Sequence, residues 1–398
     1  MRRYYPRHLT GRLQRALKTH PAVFIEGARQ VGKTTLVRKI AREMGLRYVT
    51  LDEFSQLASA QADPEGFLDS WEEPLVIDEV QRAPELLLAI KTRIDRKRVP
   101  GSYLLTGSAN VLALPRVAEA LVGRMAVLTL YPLSQGELEE HREAFVERAF
   151  QGQPPPEWER VDVLDLVRRG GFPEVVRLES SDRPEWFAGY VRTLLERDVR
   201  DISGVEQVAV LHALLTLLAE RTGSLLNISE LSRTLGRPRS TTDKYLRLFE
   251  KLFLVHRLPA WAANPTKRLS RSPKLHMVDT GLAAHLARVF NEGAVLETFV
   301  AMELAKQLSW TAEPYHLAHY RDASGREVDL VLEGPEGLVG IEVKYKRRVG
   351  SGDFSGLRAL ERSVTERFRA GYVLHLGSQA LPFGDNLWSL PVHAVWRW

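Results

Sequence analysis

Two groups of residues in this chain have the types and spacing to act on charged groups, one on phosphates and one on a cation. The first lies in "PAVFIEGARQVGKTTLVRKI": Gly27, four residues, then Gly32, Lys33 and Thr34. A short apolar run, Ala22 to Ile25, precedes it, and a helical pattern follows. This is the G-x-x-x-x-G-K-[ST] spacing of a phosphate-binding loop, in the strand-then-helix setting that the loop requires. The glycines let backbone N–H groups turn inward around phosphate oxygens, and the helix adds the positive end of its dipole. Lys33 is placed to reach the β- and γ-phosphates of ATP and Thr34 to hold Mg2+. Gln30 and Thr35 complete the expected nucleotide-contacting set.

The partner of this loop is "EPLVIDEVQRAPEL". Leu75-Val76-Ile77 reads as a buried strand with Asp78 and Glu79 at its carboxyl end, where ligands of an open α/β sheet bind. Asp78 is expected to help hold Mg2+, and Glu79 to orient and deprotonate the attacking water. A further strand, "GSYLLTGSAN", ends in Thr106, Ser108 and Asn110, of which Ser108 is the first choice for sensing the γ-phosphate. Arg124, in "LVGRM", is a candidate to stabilise charge on the transferring phosphoryl group. It would act in its own chain or from a neighbouring subunit, which makes a homo-oligomer one expected assembly.

The second group is built on "REVDLVLEGPEGLVGIEVKYKRR". Two alternating runs flank the turn signal "GPEG", which predicts a hairpin. If Glu333 pairs with Leu338, Asp329 lies opposite Glu342, and Lys344 shares their face. Directly opposed side chains are only ~4.5–5.5 Å apart at Cβ, so two carboxylates there need a cation between them, which a divalent metal would supply. Upstream, "NEGAVLETFVAMELAKQL" reads as a helix. Its apolar stripe has Glu297 at the edge and Glu303 inside, where an unpaired carboxylate is costly.

Several elements must position these residues. The chain has 398 residues, 44% hydrophobic and 26% charged, a soluble globular balance with room for several domains. The reading divides it into an ATPase core at 1–131, a helical connector or lid at 132–215, a winged helix at 216–288 and an α/β domain at 289–398. The formal net charge of +5 favours polyanion partners. With no cysteine, disulfides, thiolate nucleophiles and Cys-ligated zinc are excluded. The first twenty residues carry positive charge without an apolar core, and no apolar run approaches the ~18–20 residues of a membrane span. The expectation is a cytoplasmic protein without a membrane partner.

The winged helix is read from "NISELSRTLGRPRSTTDKYLRLFEKLFLVHRL". Residues 228–235 form one short helix, capped by Ser229. Gly236 ends it, and a second helix begins near Ser240. A strand from Leu252, a basic loop and a second strand, "KLHMVD", complete the outline. Arg239 and Lys244 at the start of the second helix suit a groove-facing end, and Arg237, Lys267, Arg268, Arg271 and Lys274 are expected at phosphates. DNA is the expected partner, although nothing in the sequence separates it from RNA.

The runs "GARQVGKTTL", "IDEVQRAPEL", "LLTGSAN", "LVGR…LYPLSQGE", "GGFPEVV" and "YVRTLLERDV" resemble AAA-type ATPases of bacteria and archaea that carry a C-terminal domain of unknown function. That resemblance implies an ATP-hydrolysing core of the additional-strand class. The order of helix Glu297, strand Asp329, then Glu342-x-Lys344 resembles the PD-(D/E)XK nuclease superfamily, with "REVD" where the name-giving proline would stand. It implies that Asp329, Glu342 and the Val343 carbonyl hold Mg2+ or Mn2+, and that Glu297 completes the metal shell or positions water. Lys344 would orient the nucleophile or stabilise the phosphorane-like charge, while Lys346, Arg347 and Arg348 draw in the nucleic-acid backbone. The expected function is therefore an ATP-hydrolysing, DNA-binding protein with a metal-dependent nuclease domain, its ATPase regulating or driving DNA processing. The alternative reading is a regulatory or scaffold ATPase whose nuclease fold only grips DNA or protein.

Overall fold

A computed structural model describes residues 3–107, 123–152, 161–198, 207–264, 266, 268, 271–289 and 291–398. The chain forms two compact units, one of residues 1–133 with 251–253, the other of 134–250 with 254–398. The first boundary lies two residues past the expected end of the ATPase core. The connector, helix-turn-helix and C-terminal segments fall together in the second unit.

In the first unit, β1 (Ala22–Glu26), β2 (Arg47–Thr50), β3 (Leu75–Asp78), β4 (Tyr103–Thr106) and β5 (Met125–Thr129) form a parallel sheet in the order β2-β3-β4-β1-β5. β4 lies inside the sheet, pairing with β1 on one side and β3 on the other. Strands covered on both faces have no polar side to alternate with. Accordingly β3 and β4 are buried at every position, and so are the first four residues of β1. The helix Lys33–Met44 follows the loop and buries Leu36, Val37, Ile40 and Ala41. It stops at Gly45, whose left-handed backbone (φ 67°) lets its N–H close on the Ala41 carbonyl.

In the second unit, β6 (Ser224–Leu225), β7 (Val255–Leu258) and β8 (Lys274–Met277) form a small antiparallel sheet in the order β6-β8-β7. The helices Val208–Glu220, Ile228–Leu235 and Arg239–Lys251 accompany it. Two expectations are corrected here. The cap of Ile228–Leu235 is Asn227, whose side chain accepts from the Glu230 N–H at 3.1 Å, and not Ser229, which is exposed one position inside the helix. The strand after the second helix begins at Val255 rather than Leu252. Phe253 takes a left-handed backbone (φ 57°) and the Leu254 N–H returns to the Phe249 carbonyl at 2.9 Å, so these residues close the helix before the chain extends.

A six-stranded sheet completes the second unit. Its strands are β9 (His316–Arg321), β10 (Glu327–Gly334), β11 (Gly337–Lys344), β12 (Phe368–His375), β13 (Leu381–Gly384) and β14 (Leu387–Pro391), in the order β13-β14-β12-β11-β10-β9. The β10–β11 hairpin has the expected register, with Glu333 opposite Leu338, and turns through Pro335 and Glu336. The helix Ser355–Val364 packs onto it through Leu357 and Leu360; a Cβ at Gly340 would come within 2.6 Å of Leu357. The long helix Glu292–Trp310 is buried over most of its length, Glu303 included. Among the described residues, no helix is long and apolar enough to cross a membrane.

Removing the cap by Asn227→Ala should lower the stability of the second unit by about 0.5–2 kcal/mol, while Ser229→Ala should leave it within error. Denaturant titration of the two variants checks this. Equal losses would return the cap to Ser229.

Candidate functional site

The phosphate loop, residues 27–32, joins β1 to the helix Lys33–Met44. Gly27 has φ 148°, and a Cβ there would meet the Leu130 carbonyl oxygen at 2.2 Å, so only glycine fits. Gly32 caps the helix in a left-handed conformation (φ 97°). The Lys33 side chain is folded into the loop, with Nζ donating to the carbonyls of Gly27 at 2.9 Å and Ala28 at 2.8 Å. Arg7 fastens the loop from outside. Its guanidinium donates to the Val31 carbonyl at 2.7 Å and the Tyr131 carbonyl at 2.6 Å.

Asp78, at the carboxyl end of β3, is the hub. Thr34 Oγ1 donates to it at 3.1 Å, Tyr48 Oη donates at 2.8 Å, and Thr106 Oγ1 also donates to it. Burial, followed by the Asp78 charge, pushes the Tyr48 phenol up to about 12. Thr34 and Asp78 are thus brought together as an Mg2+ site of this type needs, one hydroxyl and one carboxylate at the phosphate loop. Glu79 follows in a left-handed backbone (φ 61°). Its N–H donates to Thr106 Oγ1 at 3.1 Å, and its carboxylate accepts from the Gln81 amide.

Two expectations for this unit change. Arg124 lies just before β5, and the Ala22 N–H, at the start of β1, donates to its carbonyl. Because β1 and β5 run parallel, Arg124 sits at the amino-terminal edge of the sheet, whereas the phosphate loop leaves the carboxyl edge. Its guanidinium pairs with Asp95 at 2.5 Å. A role at the phosphates of its own chain is therefore ruled out by strand direction. Ser108, the preferred sensor, lies outside the described residues; Thr106 is the polar group that reaches Asp78 and Glu79. Sequence reading missed Tyr48 and Arg7. Neither belongs to a motif, since each acts through a contact made by the fold.

The second group converges as the hairpin register implies. The Val343 N–H donates to Asp329 Oδ2 at 2.9 Å, and Lys344 Nζ lies 2.8 Å from Glu342. Glu297 joins them through an unforeseen partner. Lys274 of β8, only 4% exposed, sets Nζ 2.7 Å from Glu297 and 3.2 Å from Asp329. Burial alone would lower the Lys274 pKa, but the two carboxylates outweigh it and raise it. Burial, with the Asp329 charge added, pushes both Glu297 and Glu342 up to about 8. The cation expected among these acids is thus an ammonium on the Glu297–Asp329 side. Among the described residues no three acidic or histidine side chains are arranged to hold a metal ion. The set as folded does not fit the expected Mg2+ or Mn2+ site. The backbone group of Val343 seen in it is its N–H, turned to Asp329.

Glu303 has found partners. Lys306 Nζ lies at 2.6 Å and the Gln135 N–H donates at 2.9 Å. The basic residues expected at DNA divide into two classes. Lys274 is interior, and Arg268 grips Glu333 with two hydrogen bonds of 2.7 and 3.1 Å, so both charges are already used within the unit. Arg271 donates to the Arg321 carbonyl at 2.7 Å, and Lys346 pairs with Asp353 at 2.6 Å. Lys267 lies outside the described residues. Arg237, Arg239 and Lys244 are exposed at the start of the second helix, and among the described residues no carboxylate pairs with them.

Residues 19–139 match the model of an AAA domain. Residues 160–293 match Domain of unknown function (DUF8612), and 292–395 match Domain of unknown function (DUF4143). Over 98% of its length the chain is 29% identical to an uncharacterised protein of Mycobacterium tuberculosis, covering 84% of it. A second uncharacterised protein, from Haemophilus influenzae, is 25% identical over 61% of this chain and 59% of its own. A solved structure, the Walker-type ATPase PABY2304 of Pyrococcus abyssi, is similar over 71% of this chain and 96% of that one, with TM-score 0.44 and 16% identity. The AAA match covers the phosphate loop and Asp78, and the first unit is a P-loop ATPase domain.

Glu297 and Glu342 keep their protons to about pH 8 when folded, whereas unfolded glutamates release theirs near the ordinary value of about 4.3. Between those values these two groups hold more protons in the folded state, so their contribution to the stability of the second unit should fall as pH rises from about 4.5 to 8. The buried histidines with lowered pKa values, His276 and His319 among them, contribute with the opposite sign below about 6.5. Glu342→Gln should remove its share of that fall, shifting the slope of thermal melts towards higher stability at high pH relative to the parent. A slope identical to the parent's would mean that Glu342 is ionised throughout.

Proposed function

We propose that the chain is an ATP-switched regulatory ATPase. In this reading its second unit grips DNA through a winged helix and carries a nuclease-like fold that does not cut. The observation that carries the ATP half is the convergence of Thr34, Tyr48 and Thr106 on Asp78 beside the phosphate loop. Lys33 and the loop N–H groups bind the phosphates, and Thr34 with Asp78 would hold Mg2+, which when bound would neutralise charge on the transferring phosphoryl group. Glu79 accepts the proton of the attacking water. Gln81 holds the Glu79 carboxylate through its amide, and Thr106 ties the Glu79 backbone to Asp78.

The winged-helix reading rests on element order: helix, β6, two helices joined at Gly236, then β7 and β8. DNA contact is assigned to Arg237, Arg239 and Lys244, which are exposed around the start of the second helix and pair with no carboxylate among the described residues. The non-cutting part rests on Lys274, which holds the Glu297–Asp329 side of the acid cluster. A second reading, metal-dependent cleavage of DNA or RNA, is favoured by the Asp329, Glu342 and Lys344 arrangement at the hairpin. It requires Asp329 to leave Lys274.

Glu79→Gln should bind ATP and lose turnover by about 100-fold or more, the usual scale for a general base; Lys33→Ala should lose binding. Wild-type turnover by Glu79→Gln would remove the assigned base. For the second unit, plasmid and single-stranded DNA are incubated with Mg2+ or Mn2+, with and without ATP. Intact DNA is expected, with retention that weakens when Arg237, Arg239 and Lys244 are all changed to Ala. Cleavage abolished by Glu342→Ala would replace this reading with the second.

A further inference from the structure

The structure holds a second basic feature, at the carboxyl ends of β11, β12 and β14, which run parallel. The loops that leave β11 and β12 enclose a cleft of about 470 Å³. That is within the roughly 300–1,000 Å³ typical of small-molecule sites. This edge is where open α/β sheets bind their ligands. We propose that the cleft binds the phosphate of a nucleotide, with the nucleoside lying against its apolar wall.

Charge argues for an anion. Arg347 and Arg348 stand at the cleft and are exposed, and among the described residues no carboxylate pairs with either. Among the described residues no acidic side chain lines the cleft, and Asp353, the acid nearby in sequence, is taken by Lys346. Two guanidiniums on consecutive residues offer planar forks that match phosphate oxygens. Ser378 and Gln379, exposed on the opposite loop, add a hydroxyl and an amide without using charge.

The opposite loop is built rather than slack. His375, 4% exposed, accepts the Gly377 N–H on Nδ1 at 2.9 Å. The Leu376 N–H donates to the Lys346 carbonyl at 2.9 Å, which ties the two loops together. A Cβ at Gly377 would come within 2.4 Å of the Arg347 carbonyl, so the loops meet in backbone contact. Leu381, 47% exposed, gives the cleft an apolar wall that bare phosphate does not need. A sugar and base would cover it. This assignment stands whether or not the neighbouring acids cut.

The test uses the full chain carrying Lys33→Ala, which removes nucleotide binding at the phosphate loop. Isothermal titration is run with thymidine 5′-monophosphate, thymidine, inorganic phosphate, and oligothymidylate with a 5′-phosphate or a 5′-hydroxyl. Saturable binding of the monophosphate, or of the phosphorylated strand, is expected. Arg347→Ala with Arg348→Ala should weaken it about tenfold or more. Leu381→Ala should weaken the nucleotide and leave inorganic phosphate unchanged. A preference for the phosphorylated strand over both the monophosphate and the hydroxyl strand assigns the site to a strand end; equal or tighter binding of the monophosphate assigns it to a free nucleotide. Because both arginines are exposed, the double variant should keep its circular dichroism spectrum and, with Lys33 restored, its ATP turnover. The proposal is overturned if neither nucleotide probe binds at millimolar concentration, if the double variant binds as the parent does, or if phosphate alone binds as tightly as the monophosphate.

Discussion

Lys274 carries a full charge into a place almost closed to water. Removing such an ion from solvent costs several kcal/mol even after the protein relaxes. The cost is met by Glu297 at 2.7 Å and Asp329 at 3.2 Å, and each contact joins β8 to a different element. One ammonium therefore fastens the small antiparallel sheet to the long helix and to the first strand of the hairpin. Loss of the lysine would leave Glu297 and Asp329 without their shared partner, and loss of either acid would weaken the compensation of the charge that remains. The geometry of the hairpin acids is a consequence of this arrangement. Asp329 is held from one side by Lys274 and from the other by the Val343 N–H.

The first unit solves a different problem. Its chemistry depends on backbone shape, and the constraints are steric. Gly27 has room for no side chain beside Leu130, Gly32 opens the helix with φ 97°, and Glu79 turns away from β3 with φ 61°. Around them the polar groups interlock: Asp78 accepts three hydroxyls, and one of those hydroxyls, Thr106, also accepts the Glu79 N–H. β4 makes this possible. Its insertion between β1 and β3 puts Thr106 level with Ile25 and beside Asp78.

These two kinds of constraint explain what the sequence could and could not disclose. A phosphate loop is written in consecutive residues, because a single turn supplies its shape, and it was legible down to Lys33 and Thr34. The hairpin register was legible too, since alternation and a turn signal fix which residues face each other. The partner of Glu297 was not. Lys274 is 23 residues from Glu297 and 55 from Asp329, and it reads locally as one more cation in a basic loop. The own-chain role of Arg124 was misplaced for a related reason. Sequence spacing placed it near the ATPase motifs, but strand direction sent it to the other edge of the sheet. Asn227 displaced Ser229 as a cap because a cap is defined by one residue's position, which periodicity resolves only coarsely.

The acid cluster turns on which cation Asp329 serves. With Lys274 in contact, Glu297 and Asp329 share a positive partner, yet burial keeps the Glu297 carboxyl protonated to about pH 8. Glu342 shows the same upward displacement although Lys344 lies 2.8 Å away. Burial, with the Asp329 charge added, thus keeps a proton on each glutamate even beside an ammonium group. A divalent ion could replace those protons, but it would have to compete with an ammonium already in place for the Asp329 oxygens. For that exchange the metal must overcome both its own dehydration and the burial of a displaced Lys274. Here β8 delivers a lysine into the cluster from the interior of the fold, and the same side chain that holds the unit together opposes the entry of a metal.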